Sequence, residues 1–100
     1  MSSLICINQS WHREPWLFER LGRASQGDTI VLMEEAVLAL QSPLTLGSFL
    51  AKCESRSVGV KAMRDDVQTH GIVSAYDSIE LIDYARLVEL VVQHDKQIAW

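Results

Sequence analysis

The most reactive chemistry open to this 100-residue chain belongs to two cysteines, Cys6 and Cys53, in unlike surroundings. Cys53 follows Lys52 and precedes Arg56 by three residues, so a thiolate there would have cations close by. An accessible, low-pKa thiolate is what a nucleophilic cysteine requires. Opposing this, Cys53 falls near the end of an expected helix, where the negative end of the helix dipole raises a thiol's pKa. It is therefore a weak catalytic candidate. Cys6 lies inside the apolar run Leu4-Ile5-Cys6-Ile7 and reads as a small buried hydrophobe. Two cysteines are too few for a disulfide framework, and with His12, His70 and His94 they show no metal-ligand spacing. No metal or cofactor is expected. Asn8-Gln9-Ser10 is not a glycine-rich phosphate loop, and no serine stands in a nucleophile elbow.

Two carboxylate pairs stand where open α/β sheets place their sites. Glu34-Glu35 follows the second expected strand and Asp65-Asp66 the third. Adjacent residues on a helix do not converge on one point, so both pairs read as acids favouring a helix start. His12, between Trp11 and Arg13, reads as a solvated loop residue that could serve a site or a boundary. Three tryptophans are more aromatic surface than so small a core hides. Trp11, Trp16 and Trp100 are the interface candidates.

The elements that would position these groups alternate strand and helix. Leu4–Ile7 reads as strand one. Pro15 suits a first helical turn, and Leu17, Phe18, Leu21 and Ala24 continue at helical spacing to Ser25. Thr29–Met33 is a continuous apolar run with β-branched residues, the pattern of a strand covered on both faces. Ala36–Leu40 is a short helical piece broken at Ser42-Pro43, and helix resumes over Leu44–Cys53 with Leu46, Phe49 and Leu50 inward. Ser57–Met63 is strand three, Asp65–His70 a short helix closed by Gly71, and Ile79–Ile82 strand four. Asp83 caps a last helix. There Tyr84, Leu87, Val88, Val91 and Val92 form the clearest amphipathic stripe, expected to face the core. Lys96–Trp100 is strand five. The pattern predicts one α/β domain over residues 1–100, a three-layer sandwich with a mainly parallel five-stranded sheet.

Composition excludes several classes. With 48 % hydrophobic and 22 % charged residues the chain builds a core. A net charge of −4, with its arginines and lysines interleaved with acids, argues against nucleic-acid binding by this chain alone. No segment approaches the roughly 20 apolar residues that span a bilayer, and Met1–Asn8 lacks a basic signal-peptide start, so a cytoplasmic location is expected.

Specific residues then carry a resemblance. Gly71-Ile72, Ile79-Glu80-Leu81-Ile82-Asp83-Tyr84, Leu87-Val88-Glu89-Leu90, His94 and Gln97-Ile98-Ala99-Trp100 resemble the ending of the TusB/DsrH family. Pro15-Trp16-Leu17, the Gly27-Asp28 turn and Asp65-Asp66-Val67 also look like that family. The resemblance covers essentially the whole chain, with the tail its specific part. It implies a DsrE/F/H-like fold and a small subunit of a sulfurtransferase complex. Two copies each of three related subunits form the family's heterohexamer. TusB-type members serve sulfur delivery for 2-thiouridine at the tRNA wobble position; DsrH-type members serve dissimilatory sulfur oxidation. In both, the persulfide cysteine belongs to a TusD or DsrE partner.

Two departures stand out. Some DsrH-type members carry a cysteine in helix one, where this chain has Phe18-Glu19-Arg20-Leu21. After strand two the family commonly has an acidic pair and then glycine, and here the run is Glu34-Glu35-Ala36. The first departure favours the TusB type. The expectation is a non-catalytic subunit with TusC/TusD-like (or DsrE/DsrF-like) partners, meeting tRNA only indirectly and no membrane, able to homo-oligomerise alone. Its rivals are a sulfur carrier acting through Cys53 and a free-standing small-molecule binder.

Overall fold

Five strands build one fully parallel sheet in the computed structural model, which describes residues 2–10, 16, 19, 21, 23–41, 43–72 and 79–99. The strands are β1 (Ser3–Ile7), β2 (Thr29–Leu32), β3 (Gly59–Met63), β4 (Glu80–Ile82) and β5 (Lys96–Ala99), in the spatial order β4-β3-β2-β1-β5. Ile5 registers with Ile30 on one side and Ile98 on the other. The central β2 is buried along its whole length, as an unbroken β-branched apolar run requires in a parallel sheet.

Helices fill the connections. A 3₁₀ helix (Glu34–Gln41) leads into α1 (Pro43–Ser55), α2 (Arg64–Thr69) follows β3, and α3 (Tyr84–Gln93) joins β4 to β5. The steps β1→β2→β3→β4 all move one way across the sheet, and β4→β5 returns past all of them. Right-handed crossovers therefore put α3 on the face opposite the other helices.

The buried residues divide accordingly. Ile5, Ile7, Ile30, Leu32 and Ala62 pack against Leu21, Ala24, the 3₁₀ helix and the inner face of α1, where Leu46 and Phe49 are buried. Leu50 is only half-buried at the edge of that cluster. On the other face Leu4, Cys6, Val31, Met63 and Ile82 pack against Leu90, with Met33 and Leu87 at the margin. The result is the three-layer α/β sandwich that the alternating pattern predicts.

Most boundaries follow local chemistry. Pro43 opens α1, Gly27 (φ 91°) and Gly71 (φ 67°) take left-handed turns, and Asp83 caps α3 by accepting from the Arg86 amide at 2.9 Å. The last helix corrects one expectation. Its buried side is Leu87 and Leu90, while Tyr84, Val88, Val91 and Val92 are exposed. Of the helix expected over Pro15–Ser25, Trp16, Glu19 and Leu21 are helical. Pro15, Trp11, His12 and Trp100 lie outside the described residues. Among the described residues no single helix is long and apolar enough to cross a membrane.

Candidate functional site

The carboxyl edge of the sheet carries both acidic pairs, and the structure joins them through a backbone contact. Glu34 takes a left-handed conformation (φ 51°), and its amide donates to Asp66 Oδ2 at 2.9 Å. The Ala36 amide then donates to the Met33 carbonyl at 3.0 Å and starts the 3₁₀ helix. One carboxylate is thus spent on holding a turn. The left-handed residue is Glu34 itself, and Ala36 is buried in the helical turn that follows. Among the described residues no group of three or more His, Cys, Asp or Glu side chains could hold a metal ion.

Neither thiol lies at that edge as an exposed group. Cys6 is on β1 under α3, and burial raises its pKa, a hydrogen bond with Gln97 opposing this in part. Cys53 sits near the end of α1, which runs back from the carboxyl edge to the amino edge before β3 begins. Its carbonyl accepts from the Val58 amide at 2.8 Å, tying the helix end to the strand entry. The residue is 5 % exposed, and it lines a cleft of about 300 Å³ together with Leu50, Glu54, Val58, Gly59 and Val60. Burial pushes the Cys53 thiol up to about 11, and the Arg56 charge offsets that only in part. The cations flanking Cys53 in sequence therefore do not make it a thiolate at neutral pH.

The amino edge is a set of staples. Asp28 accepts from the Ser3 amide through Oδ1 and from the Ser25 amide through Oδ2, both at 2.9 Å. Asp95 Oδ2 accepts from the Ser2 amide at 3.0 Å, and the Asp95 and Lys96 amides donate back to the Ser2 carbonyl. His94 bridges Leu90 and Thr29. These contacts fix strands and carry no obvious reactive group. A shallow hollow of about 500 Å³ at this end is lined by Arg23, Arg56 and neighbouring serines. Arg23 lies 3.8 Å from Glu19 in an ion pair on the surface.

The surface of α3 is the feature that sequence reasoning missed. Tyr84, Val88, Val91 and Val92 are 64, 61, 39 and 79 % exposed. Among the described residues, the fifth large hydrophobic exposed to this degree is Trp16, at 42 %. A signal was present: the apolar residues of α3 span an arc wider than one buried face needs. Of the tryptophans proposed as interface anchors, Trp16 alone is described, and it is partly solvent-facing.

Comparison with known proteins agrees with this geometry. A family model described as DsrH like protein matches residues 14–97. The protein TusB of Escherichia coli K12 is 33 % identical over 93 residues, covering 89 % of this chain and 95 % of that protein. The chain belongs to the TusB/DsrH family. TusB of Pectobacterium parmentieri is 30 % identical over 81 residues, covering 80 and 82 % of the two chains. For the TusB/DsrH fold, the ychN protein of E. coli superposes over the full length of both chains with a TM-score of 0.66 at 18 % identity. Protein Tm0979 of Thermotoga maritima gives 0.67 at 20 % identity over 91 and 92 % of the chains. These two likenesses bear on the fold alone. In this TusB/DsrH chain, the fold is kept with both cysteines built into the packing.

Proposed function

We propose that this TusB/DsrH chain is a non-catalytic subunit of a cytoplasmic sulfur-relay complex, supporting sulfur delivery for 2-thiouridine at the tRNA wobble position. Its partners are TusC/TusD-like chains, one of which carries the persulfide cysteine. The observation that carries this reading is the state of its thiols. Cys53 is 5 % exposed with its pKa pushed up to about 11, and Cys6 is buried beneath α3 with its pKa raised. A relay cysteine attacks and is attacked as an exposed thiolate. Both thiols are buried in the packing and burial raises the pKa of each, so the chain contributes shape and contact. Similarity to proteins named TusB supports the tRNA branch over the oxidation branch that the DsrH name brings to mind.

The test is complementation. Expression in a bacterium lacking its own TusB should restore 2-thiouridine, measured by mass spectrometry of digested tRNA. Absence of restoration despite soluble protein that binds the host's siblings would contradict the tRNA role. Restoration lost in Cys53→Ser, with the complex still assembled, would instead support the carrier reading.

A further inference from the structure

We infer that the outward flank of α3, together with the adjoining face of β5, is the surface on which a like-folded sibling subunit seats a helix of its own. This rests on the reading above, that TusC/TusD-like chains are the partners, and adds where they bind.

The flank is built by helical spacing. Positions 84, 88, 91 and 92 share one side of α3, turned roughly a quarter turn from Leu87 and Leu90, which anchor the helix on the sheet. The opposite side of α3 is already occupied. Arg86 reaches Glu89 at 3.0 Å and Glu80 at 3.7 Å, and Glu80 reaches Lys61 at 3.1 Å. Glu80 lies on β4 and Lys61 on β3, so that charged side faces the β4 edge. The apolar flank therefore leans the other way, towards β1 and β5.

There the sheet itself is uncovered among the described residues. Gln97 and Ala99 register with Leu4 and Cys6, which face α3, so they share that face of the sheet, and both are exposed. Five strands spaced about 4.8 Å apart span roughly 19 Å between the outermost strands, and helices pack about 10 Å apart. A five-stranded face thus takes two helices. Among the described residues α3 is the one helix contributing buried side chains on this face. The step between the α3 flank and β5 has the width of one more.

Size and charge choose the occupant. The exposed apolar area of the four side chains is on the order of 400 Å², near the largest patch tolerated on a typical monomer. It supplies about half of the roughly 800 Å² per partner that a stable interface buries, with Ala85, Gln97 and Ala99 as a rim. The flank carries no charge, so it fits an apolar helix face. A second copy suits it less well. Two-fold, antiparallel pairing of α3 with itself would bring the Asp83 end of one copy beside the Asp95 end of the other, between chains that each carry −4. A related chain of different sequence is not bound to repeat that placement of acids.

The experiment is co-expression of the full chain with its TusC/TusD-like siblings, capture through a tag on a sibling, and mass determination of the product. Three forms are compared: wild type, the double variant Val88→Asp/Val92→Asp, and Ser48→Asp on the opposite layer. The expected result is capture of wild type and Ser48→Asp, with affinity of the double variant weakened on the order of 100-fold or more. Hydrogen exchange on the wild-type complex, which needs no variant, should show protection gained over residues 84–93. Undiminished capture of the double variant, or no protection there, overturns this surface while leaving the sibling partnership intact. Failure of wild type to capture any sibling overturns the partnership reading and this inference with it. A homodimer of the isolated chain that the double variant disperses, with sibling capture unaffected, assigns the flank to self-association and also overturns it.

Discussion

His94 Nε2 lies 2.8 Å from Thr29 Oγ1, joining the end of α3 to the first residue of β2 across 65 positions of sequence. The partner of the other ring nitrogen fixes the roles. His94 Nδ1 is 2.7 Å from the Leu90 carbonyl, which only accepts, so Nδ1 carries a hydrogen. In the neutral ring Nε2 then accepts from the Thr29 hydroxyl. Thr29 is buried, so a hydroxyl left without its partner is costly. Thr29→Val and His94→Ala should each destabilise the chain by about 1–2 kcal/mol. The double variant should lose less than the sum, by about 0.5–1 kcal/mol, in a urea-denaturation cycle. Additive losses would mean the contact contributes nothing.

The orientation of α3 predicts unequal costs on one helix. Leu90 is 3 % exposed and anchors α3 on Val31, Met63 and Ile82. Leu90→Ala should cost about 2–4 kcal/mol. Val92 is 79 % exposed, so Val92→Asp should change the stability of the isolated chain by no more than about 0.5 kcal/mol. Thermal unfolding of the two variants decides this, and equal losses would place the Val92 side in the core.

Cys53 gives a pH dependence. Its pKa rises from 9.0 to about 11 on folding. Above pH 9 the unfolded chain releases this proton while the native chain keeps it. The native state then binds more protons, so stability falls as pH rises from 9 to about 11 and is unaffected by this group below 9. The slope from one such thiol is at most about 1.4 kcal/mol per pH unit. Cys53→Ala should remove that component of the alkaline slope in denaturation at stepped pH, with Cys6 unchanged. An identical slope in both proteins would mean that Cys53 ionises equally in the two states.

The turn after β2 makes a prediction about glycine. Glu34 holds φ 51° with its amide on Asp66, and Ala36 is buried in the helical turn. Glu34→Val should cost about 1–2 kcal/mol, because a β-branched side chain is strained at positive φ. Ala36→Gly should cost about 1 kcal/mol. Stabilisation by Ala36→Gly would show that position 36 is where the backbone demands a left-handed residue.

Much of the fold was legible because its signals are local. The β-branched run at Thr29–Leu32, the cap at Asp83, and Gly71 after α2 each fix one boundary with one residue's chemistry. For Cys53 the sequence displays opposing signs, nearby cations against a helix end. Burial, which sequence does not display, is the largest influence on that thiol and outweighs the Arg56 charge. Three features escaped because they depend on partners distant in sequence. Which flank of α3 turns inward is set by Met63 and Val31 beneath it, not by the helix's own spacing. The positive φ at Glu34 depends on an Asp66 carboxylate 32 residues away. The His94 bridge exists only because β2 starts beneath the end of α3. Of the tryptophans read as interface candidates from composition, Trp11 and Trp100 lie outside the described residues.

The central claim is that this chain supports sulfur transfer without using a thiol of its own. The most direct measurement places the double variant Cys6→Ala/Cys53→Ala in cells lacking TusB, together with the siblings, and quantifies 2-thiouridine in tRNA while capture confirms assembly. The account predicts assembled complex and 2-thiouridine at the wild-type level. Assembled complex with 2-thiouridine abolished would contradict it and return the sulfur to this subunit.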